Sequence, residues 1–333
     1  DTFLFAANAV LPIVLIILLG YVLRRIGFID LHFTNLLNKY VFRVGLPALL
    51  FFNVYSIESF EQITWGVILF AVIAMLSIFV LGLIFMTFFV KDRNQKGVIL
   101  QAGIRSNFAL IGIPLAQSLG GTDALVIVAL LSAFTIPIAN ILSVVSLNMY
   151  QVNEFGQRIS VKMMVKNVLT NPLIIGVAAG LFALFIRELI TPQGGIPVFT
   201  LKNDLRFSYD TIRMISQTAS PMALIALGGQ FELNVVRPLI KQISLGVLWR
   251  IAIVPFFVLG AAYLLESKIS GMSHSYAGLI ALFGSPVAVS SAIMVHEIGG
   301  DHKLASQLVI WSSVFSIITI FITVVLFRLI GAL

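Results

Sequence analysis

Long apolar stretches, each bounded by a short run of polar or charged residues, recur along the chain without a polar face inside them. Ten stand near residues 3–23, 34–56, 63–90, 98–119, 123–149, 168–190, 207–231, 236–265, 275–298 and 304–332. A membrane-spanning helix takes about 20 residues, because the hydrocarbon core is roughly 30 Å thick and a helix rises about 1.5 Å per residue. In water, helices apolar on every side would have no surface to show the solvent; in lipid they are what internal backbone hydrogen bonding demands. Alternating segments of about 10 residues, the mark of a membrane β-barrel, are not seen. The pattern predicts an all-α polytopic membrane protein with ten transmembrane helices.

Composition agrees. Of the 333 residues, 59% are hydrophobic and 11% charged, against roughly 45–50% and about 25% in soluble domains. Neither a soluble enzyme nor a disordered chain fits. With no cysteine and four histidines outside any HExxH pattern, no disulfide frame, metal centre or other cofactor is expected. Paired carboxylates and a nucleophile constellation are also missing, so an enzyme ranks last among the functions considered.

Charge changes the picture by setting direction. With the N-terminus outside, the inner loops hold twelve Lys and Arg and the outer loops five. That excess favours both termini outside the plasma membrane and reads the net charge of +7 as affinity for an anionic inner leaflet, not for nucleic acid. Pro12 and the Arg24-Arg25 pair suit a first transmembrane helix better than a cleaved leader.

The two halves echo one another. Ser106-Asn107 leads to Gly112-Ile113-Pro114 and Gly120-Gly121, while Ser285-Pro286 leads to Ser290-Ser291 and Gly299-Gly300, both at an offset of 179 residues. Looser echoes join Pro47 to Pro221 and Pro12 to Pro172. Five helices per half is an odd number, so the second half enters from the opposite side, the inverted repeat that secondary transporters use. The expected division is 1–149, a short linker at 150–167 that lies as a surface amphipathic helix or an ordinary loop, and 168–333.

Candidate chemistry concentrates in the fourth and ninth stretches. Arg105, Ser106 and Asn107 stand mid-stretch ahead of Gly112 and Pro114; Pro114 is expected to break the helix by freeing the carbonyl of Leu110. Ser285, Pro286, Ser290 and Ser291 hold the mirrored place. If the two breaks cross, their half-helix N-termini suit a carboxylate. A cation such as Arg105 costs several kcal/mol at the bilayer centre, so it answers either an anionic ligand or backbone carbonyls. Arg250 poses the same question, with scaffold packing beside Trp249 favoured. Asn107 can bind a ligand or hold broken backbone, and Asn140 can line a cavity or bond across helices. Pro47 and Pro221, with Pro286, are candidate helix breaks or kinks. His296 and Glu297 read as a solvated helix end ahead of a proton relay. No acidic residue sits firmly mid-membrane, which argues against carboxylate-based coupling; sodium held by carbonyl and amide oxygens stays open, as does voltage-driven uniport.

Gly45-Leu46-Pro47-Ala48-Leu49-Leu50-Phe51, Arg105-Ser106-Asn107 running to Gly112-Ile113-Pro114-Leu115, Asn171-Pro172-Leu173-Ile174, Trp249-Arg250 with Pro255, and Ser285-Pro286 to Glu297 together resemble the auxin efflux carrier family. It includes the plant PIN-FORMED auxin carriers and many prokaryotic members, some assigned to malonate or other dicarboxylates. The resemblance implies two inverted five-helix repeats, with a scaffold domain of helices 1, 2, 6 and 7 and a transport domain of helices 3–5 and 8–10. It further implies crossing breaks in helices 4 and 9, an elevator-like motion and a homodimer. Asn107 and Pro114 match the plant pattern at the crossing, whereas Ser290-Ser291 stands where that pattern has a second proline. Only 150–166 replaces the long loop of many plant members.

The expected function is therefore secondary transport of a small organic anion, a mono- or dicarboxylate such as malonate or an auxin-like acid. A receptor on a transporter-like fold and a sodium-coupled symporter are the alternatives.

Overall fold

The computed structural model describes residues 2–55, 65–151, 161–191 and 199–333. The ends of the expected second and third stretches, at 56 and 63–64, lie outside these residues, as does 152–160 of the linker. The α-helices of the described residues are, in order, α1 (Thr2–Arg25), α2 (Leu31–Tyr40), α3 (Leu46–Tyr55), α4 (Trp65–Phe89), α5 (Arg93–Ile104), α6 (Ile113–Asn148), α7 (Val161–Leu169), α8 (Pro172–Ile190), α9 (Leu201–Asp204), α10 (Arg206–Gly229), α11 (Val236–Leu248), α12 (Val254–Leu264), α13 (Tyr276–Gly284), α14 (Val289–Ile298) and α15 (His302–Leu329). Three π-helical turns interrupt them, at Val41–Gly45, Phe108–Gly112 and Trp249–Ile253.

Among the described residues there is no strand, only one isolated antiparallel bridge between Ser106 and Val287. Five stretches of the described residues are long and apolar enough to cross a bilayer: Trp65–Phe89, Leu130–Asn148, Pro172–Ile190, Val236–Leu264 and His302–Leu329. Leu69, Ile73, Val80 and Ile84 of α4 are exposed, a ridge that only lipid can cover without cost. The protein is an all-helical, multi-pass membrane protein.

Helix ends follow local chemistry. Asp30, Asp92, Asn171 and Asp301 each accept a backbone N–H of the helix they precede, and Pro172 fills a first-turn position where no N–H is missed. The fourth and fifth apolar stretches part where expected, at a kink within α6: Gly121 is non-helical (φ 62°, ψ −147°), a conformation open to glycine at little cost, so α6 is two helices joined at that residue. α7 covers the end of the linker, with Lys162, Met163, Val165 and Lys166 exposed.

Two groups of helices pack internally. α1, α2, α3, α8 and α10 lie on one another; α4, α5, α6 and α11 to α15 form the second group, and the two meet where α1 packs on α15 and α6, α10 and α2 on α14, and α3 and α8 on α6. Close approach is permitted by missing side chains. A Cβ on Gly228 would stand 1.9 Å from the carbonyl oxygen of Ile17, and one on Gly176 would stand 2.6 Å from that of Pro47. Small residues at such contacts replace the hydrophobic driving force that lipid does not supply.

Candidate functional site

Two helices stop in the interior and face one another. α5 ends at Ile104, Arg105 is extended (φ −84°, ψ 107°), and the chain resumes as the π-helical turn Phe108–Gly112 leading into α6. α13 ends at Gly284, Ser285 and Ala288 are extended, and α14 begins at Val289. The extended pieces pair: the Asn107 N–H donates to the Pro286 carbonyl at 2.8 Å and the Ala288 N–H to the Arg105 carbonyl at 3.1 Å.

Three further backbone N–H groups find partners nearby. Arg105 N–H returns to Gln101 at 2.9 Å, Ile111 N–H to Asn107 at 3.0 Å, and Val287 N–H to the Ser312 hydroxyl at 3.0 Å. Such pairing is what lets non-helical backbone exist away from water.

The first interruption thus lies at Arg105–Asn107, not at Pro114. Pro114 comes after that break, in a chain that stays helical from the π-helical turn through Gly112 (φ −66°, ψ −45°) into α6; a local π adjustment accommodates the N–H it lacks. The break belongs to the pairing of two extended segments, which needs no proline in the first of them. Pro286 does lie in the second break. Pro47 sits in the first turn of α3, directly after a π-helical turn. α10 runs without interruption through Pro221, which is exposed. Gly112 makes room: a Cβ there would meet Phe108 at 2.5 Å and the Ala281 carbonyl at 2.9 Å.

Beside the crossing lies a cavity of about 90 Å³. Arg105, Ser106, Asn107 and Phe108 form one wall, Ile136, Ala139 and Asn140 of α6 another, and Ala288, Val289 and Ser290 a third. Leu46, Leu49, Leu50 and Asn53 of α3, with Ser220 and Ala223 of α10, close it from the other helix group. The expected residues Arg105, Ser106, Asn107, Asn140 and Ser290 are therefore brought together. Ser285, Pro286 and Ser291 do not line the cavity: Ser285 bonds its hydroxyl to the Ala281 carbonyl at 2.6 Å, and Ser291 is buried with its hydroxyl unpartnered among the described residues.

The polar groups of this cavity are only partly satisfied. Asn140 gives its Nδ2 to the Ile136 carbonyl at 2.9 Å, which leaves Oδ1 buried without a partner. Asn107 Nδ2 and Ser106 Oγ are likewise buried and unpartnered among the described residues. Arg105 is 6% exposed, donates from Nη2 to Ser290 Oγ at 2.7 Å and from Nη1 to Met294 Sδ at 3.3 Å, and has no carboxylate partner among the described residues. α14 starts without a side-chain cap, so first-turn N–H groups at Val289 and Ser290 stand at the cavity wall. Cation, amide donor, hydroxyl and helix N-terminus converge on one small space.

Arg250 answers differently from Arg105. Its Nε donates to Ser285 at 2.9 Å, its Nη1 to Gly103 at 3.0 Å and its Nη2 to Leu282 at 3.0 Å, all carbonyls. Sequence reasoning had placed it as scaffold beside Trp249 and missed that it spans both breaks. Asn53 and Ser220 were missed too, although each is a polar residue inside an apolar stretch. His296 and Glu297 end α14, with His296 Nδ1 and Glu297 Oε1 3.4 Å apart.

Comparison with known proteins supplies the family. Residues 5–324 match the family described as membrane transport protein. An uncharacterized transporter of Methanothermobacter thermautotrophicus is 23% identical over 321 residues, covering 96% of this chain and 97% of that protein. Another, from Methanocaldococcus jannaschii, is 23% identical over 320 residues, covering 94% and 96%. With an all-helical membrane fold, two broken helices paired at their interruptions, and a family match across nearly its whole length, the chain belongs to the membrane transport protein family of auxin efflux carrier type.

Proposed function

We propose that this protein is a secondary transporter of a small organic anion, bound at the cavity beside the crossing. The observation that carries the reading is Arg105, a buried guanidinium with a hydroxyl and a thioether for partners among the described residues, lining a cavity with Asn107 Nδ2 and Ser106 Oγ, which have no partner among those residues. A carboxylate supplies what those donors lack, and charge-assisted bonds are the strong ones. A space of about 90 Å³ holds a few water-sized groups. It therefore suits a short mono- or dicarboxylate such as malonate better than an indole acid.

The elevator reading draws support from where the cavity lies. One side is built by α3 and α10, the other by the α5–α6 and α13–α14 crossing, and these sides belong to different packing groups. The first group is the proposed scaffold and the second the proposed transport domain, which would carry the anion past it. The 179-residue offset supports the inverted repeat of ten spans, because it relates Asn107 to Pro286, the residues paired at the centre of the crossing. Plasma-membrane location, outward termini and a homodimer complete the proposal. Thermal-shift measurement with acetate, malonate and indole acids, with and without sodium, followed by flux in proteoliposomes, tests it. Absence of both stabilisation and flux for every acid would sink it.

A further inference from the structure

The two buried arginines are held in different ways, and the contrast assigns them different tasks. Arg105 lines the cavity. Arg250 is 1% exposed, is not among the cavity-lining residues, and directs its donors onto three carbonyls. Gly103 lies in the last turn of α5, Leu282 in the last turn of α13, and Ser285 directly follows α13. These are carbonyls that helix ends leave without intrahelical partners, and they carry the negative ends of the two helix dipoles. No carboxylate pairs with Arg250 among the described residues.

Its seat is built for this. Arg250 lies in the π-helical turn Trp249–Ile253, where an extra residue re-aims the side chains of a helix. Trp249 stacks on Phe85 with centroids 4.6 Å apart. The indole Nε1 stands 2.2 Å from where a Cβ on residue 103 would be, so Gly103 both admits Trp249 and offers its carbonyl to Arg250. A planar fork can bridge two helix ends in one plane, which a single ammonium cannot reproduce.

We propose that Arg250 is the positioning residue of the transport site. It ties the C-terminal ends of α5 and α13 into one unit, and its charge offsets their negative ends so that the neighbouring cavity accepts an anion. The tie stands on the geometry alone; the charge effect rests on the anion reading above.

Arg250→Gln and Arg250→Lys in lipid nanodiscs separate the two. Hydrogen exchange is read on peptides covering residues 101–112 and 282–292, and affinity is read for malonate against its neutral diamide. In Arg250→Gln both peptides exchange about tenfold faster or more, peptides of α3 and α8 keep their protection, and the preference for malonate over the diamide falls. Arg250→Lys keeps that preference but not the protection. Unchanged exchange at both breaks in Arg250→Gln overturns the tie, and so does an equal loss in every helix. An unchanged malonate preference in Arg250→Gln overturns the charge effect. A wild-type protein that binds neither ligand overturns the anion class and the charge effect together, while the exchange measurement still decides the tie.

Discussion

The backbone N–H of Asn107 donates to the carbonyl oxygen of Pro286 at 2.8 Å, joining two helix interruptions that lie 179 residues apart in the chain. The bond uses the main chain of Asn107 and leaves its side-chain amide directed elsewhere. Nδ2 is buried beside the cavity with no partner among the described residues. In the proposed site, structure and recognition would thus be divided between two parts of one residue.

Asn107→Ala removes the side-chain donor and keeps the backbone pairing. We expect carboxylate flux in proteoliposomes to be abolished. The ligand-free melting temperature should hold within about 4 °C or rise, since an unpartnered buried donor carries a desolvation cost. Undiminished flux would remove Asn107 from the site.

Arg105→Met tests the cation. Replacing a buried charge by an apolar side chain of similar length is often neutral for folding, so the protein should remain monodisperse while malonate affinity, measured calorimetrically, drops about tenfold or more. Ser290→Ala removes one neutral partner of the guanidinium and should cost less. Wild-type affinity in Arg105→Met would leave the buried cation as a structural group only.

Gly228→Ala tests the packing of α1 on α10. The added methyl would stand 1.9 Å from the Ile17 carbonyl oxygen, so the helices must part at a cost of about 1–3 kcal/mol. A thermal melt should show this as a clear fall. Gly260→Ala is the control, because nothing lies within 4 Å of a Cβ there, and alanine favours the helix. Equal melting of the two variants would contradict the described contact.

At the start of α15, Asp301 accepts the Leu304 N–H at 2.9 Å and Gln95 Nε2 at 3.1 Å, while Lys303 pairs with Glu232 at 2.9 Å with both side chains over 40% exposed. Asp301→Ala should cost about 1 kcal/mol as a lost cap. Lys303→Ala should cost between about 0 and 1 kcal/mol, because exposed pairs are solvated and screened by salt. Melts at low and high salt distinguish the two.

Much of the site was legible because lipid punishes polarity. Arg105, Ser106, Asn107, Asn140 and Ser290 stand out against apolar neighbours, and the structure gathers them around one cavity. Pro114 misled for a physical reason: a proline inside a membrane helix need not end it where a local π-helical turn, here Phe108–Gly112, takes up the missing bond. The role of Arg250 was hidden because its partners are backbone carbonyls, which every residue type carries alike.

The amino-acid sequence by itself determined that this chain is helical and membrane-embedded, since only helices satisfy the backbone of such long apolar stretches in hydrocarbon. It also marked which stretches bear polar groups. Tertiary structure alone decided where the helices break and which walls enclose the cavity. Apolar helices carry no polar face to report which side meets a neighbour, and a break is settled by the backbone pairing of Asn107 with Pro286, a bond between segments that no local pattern connects.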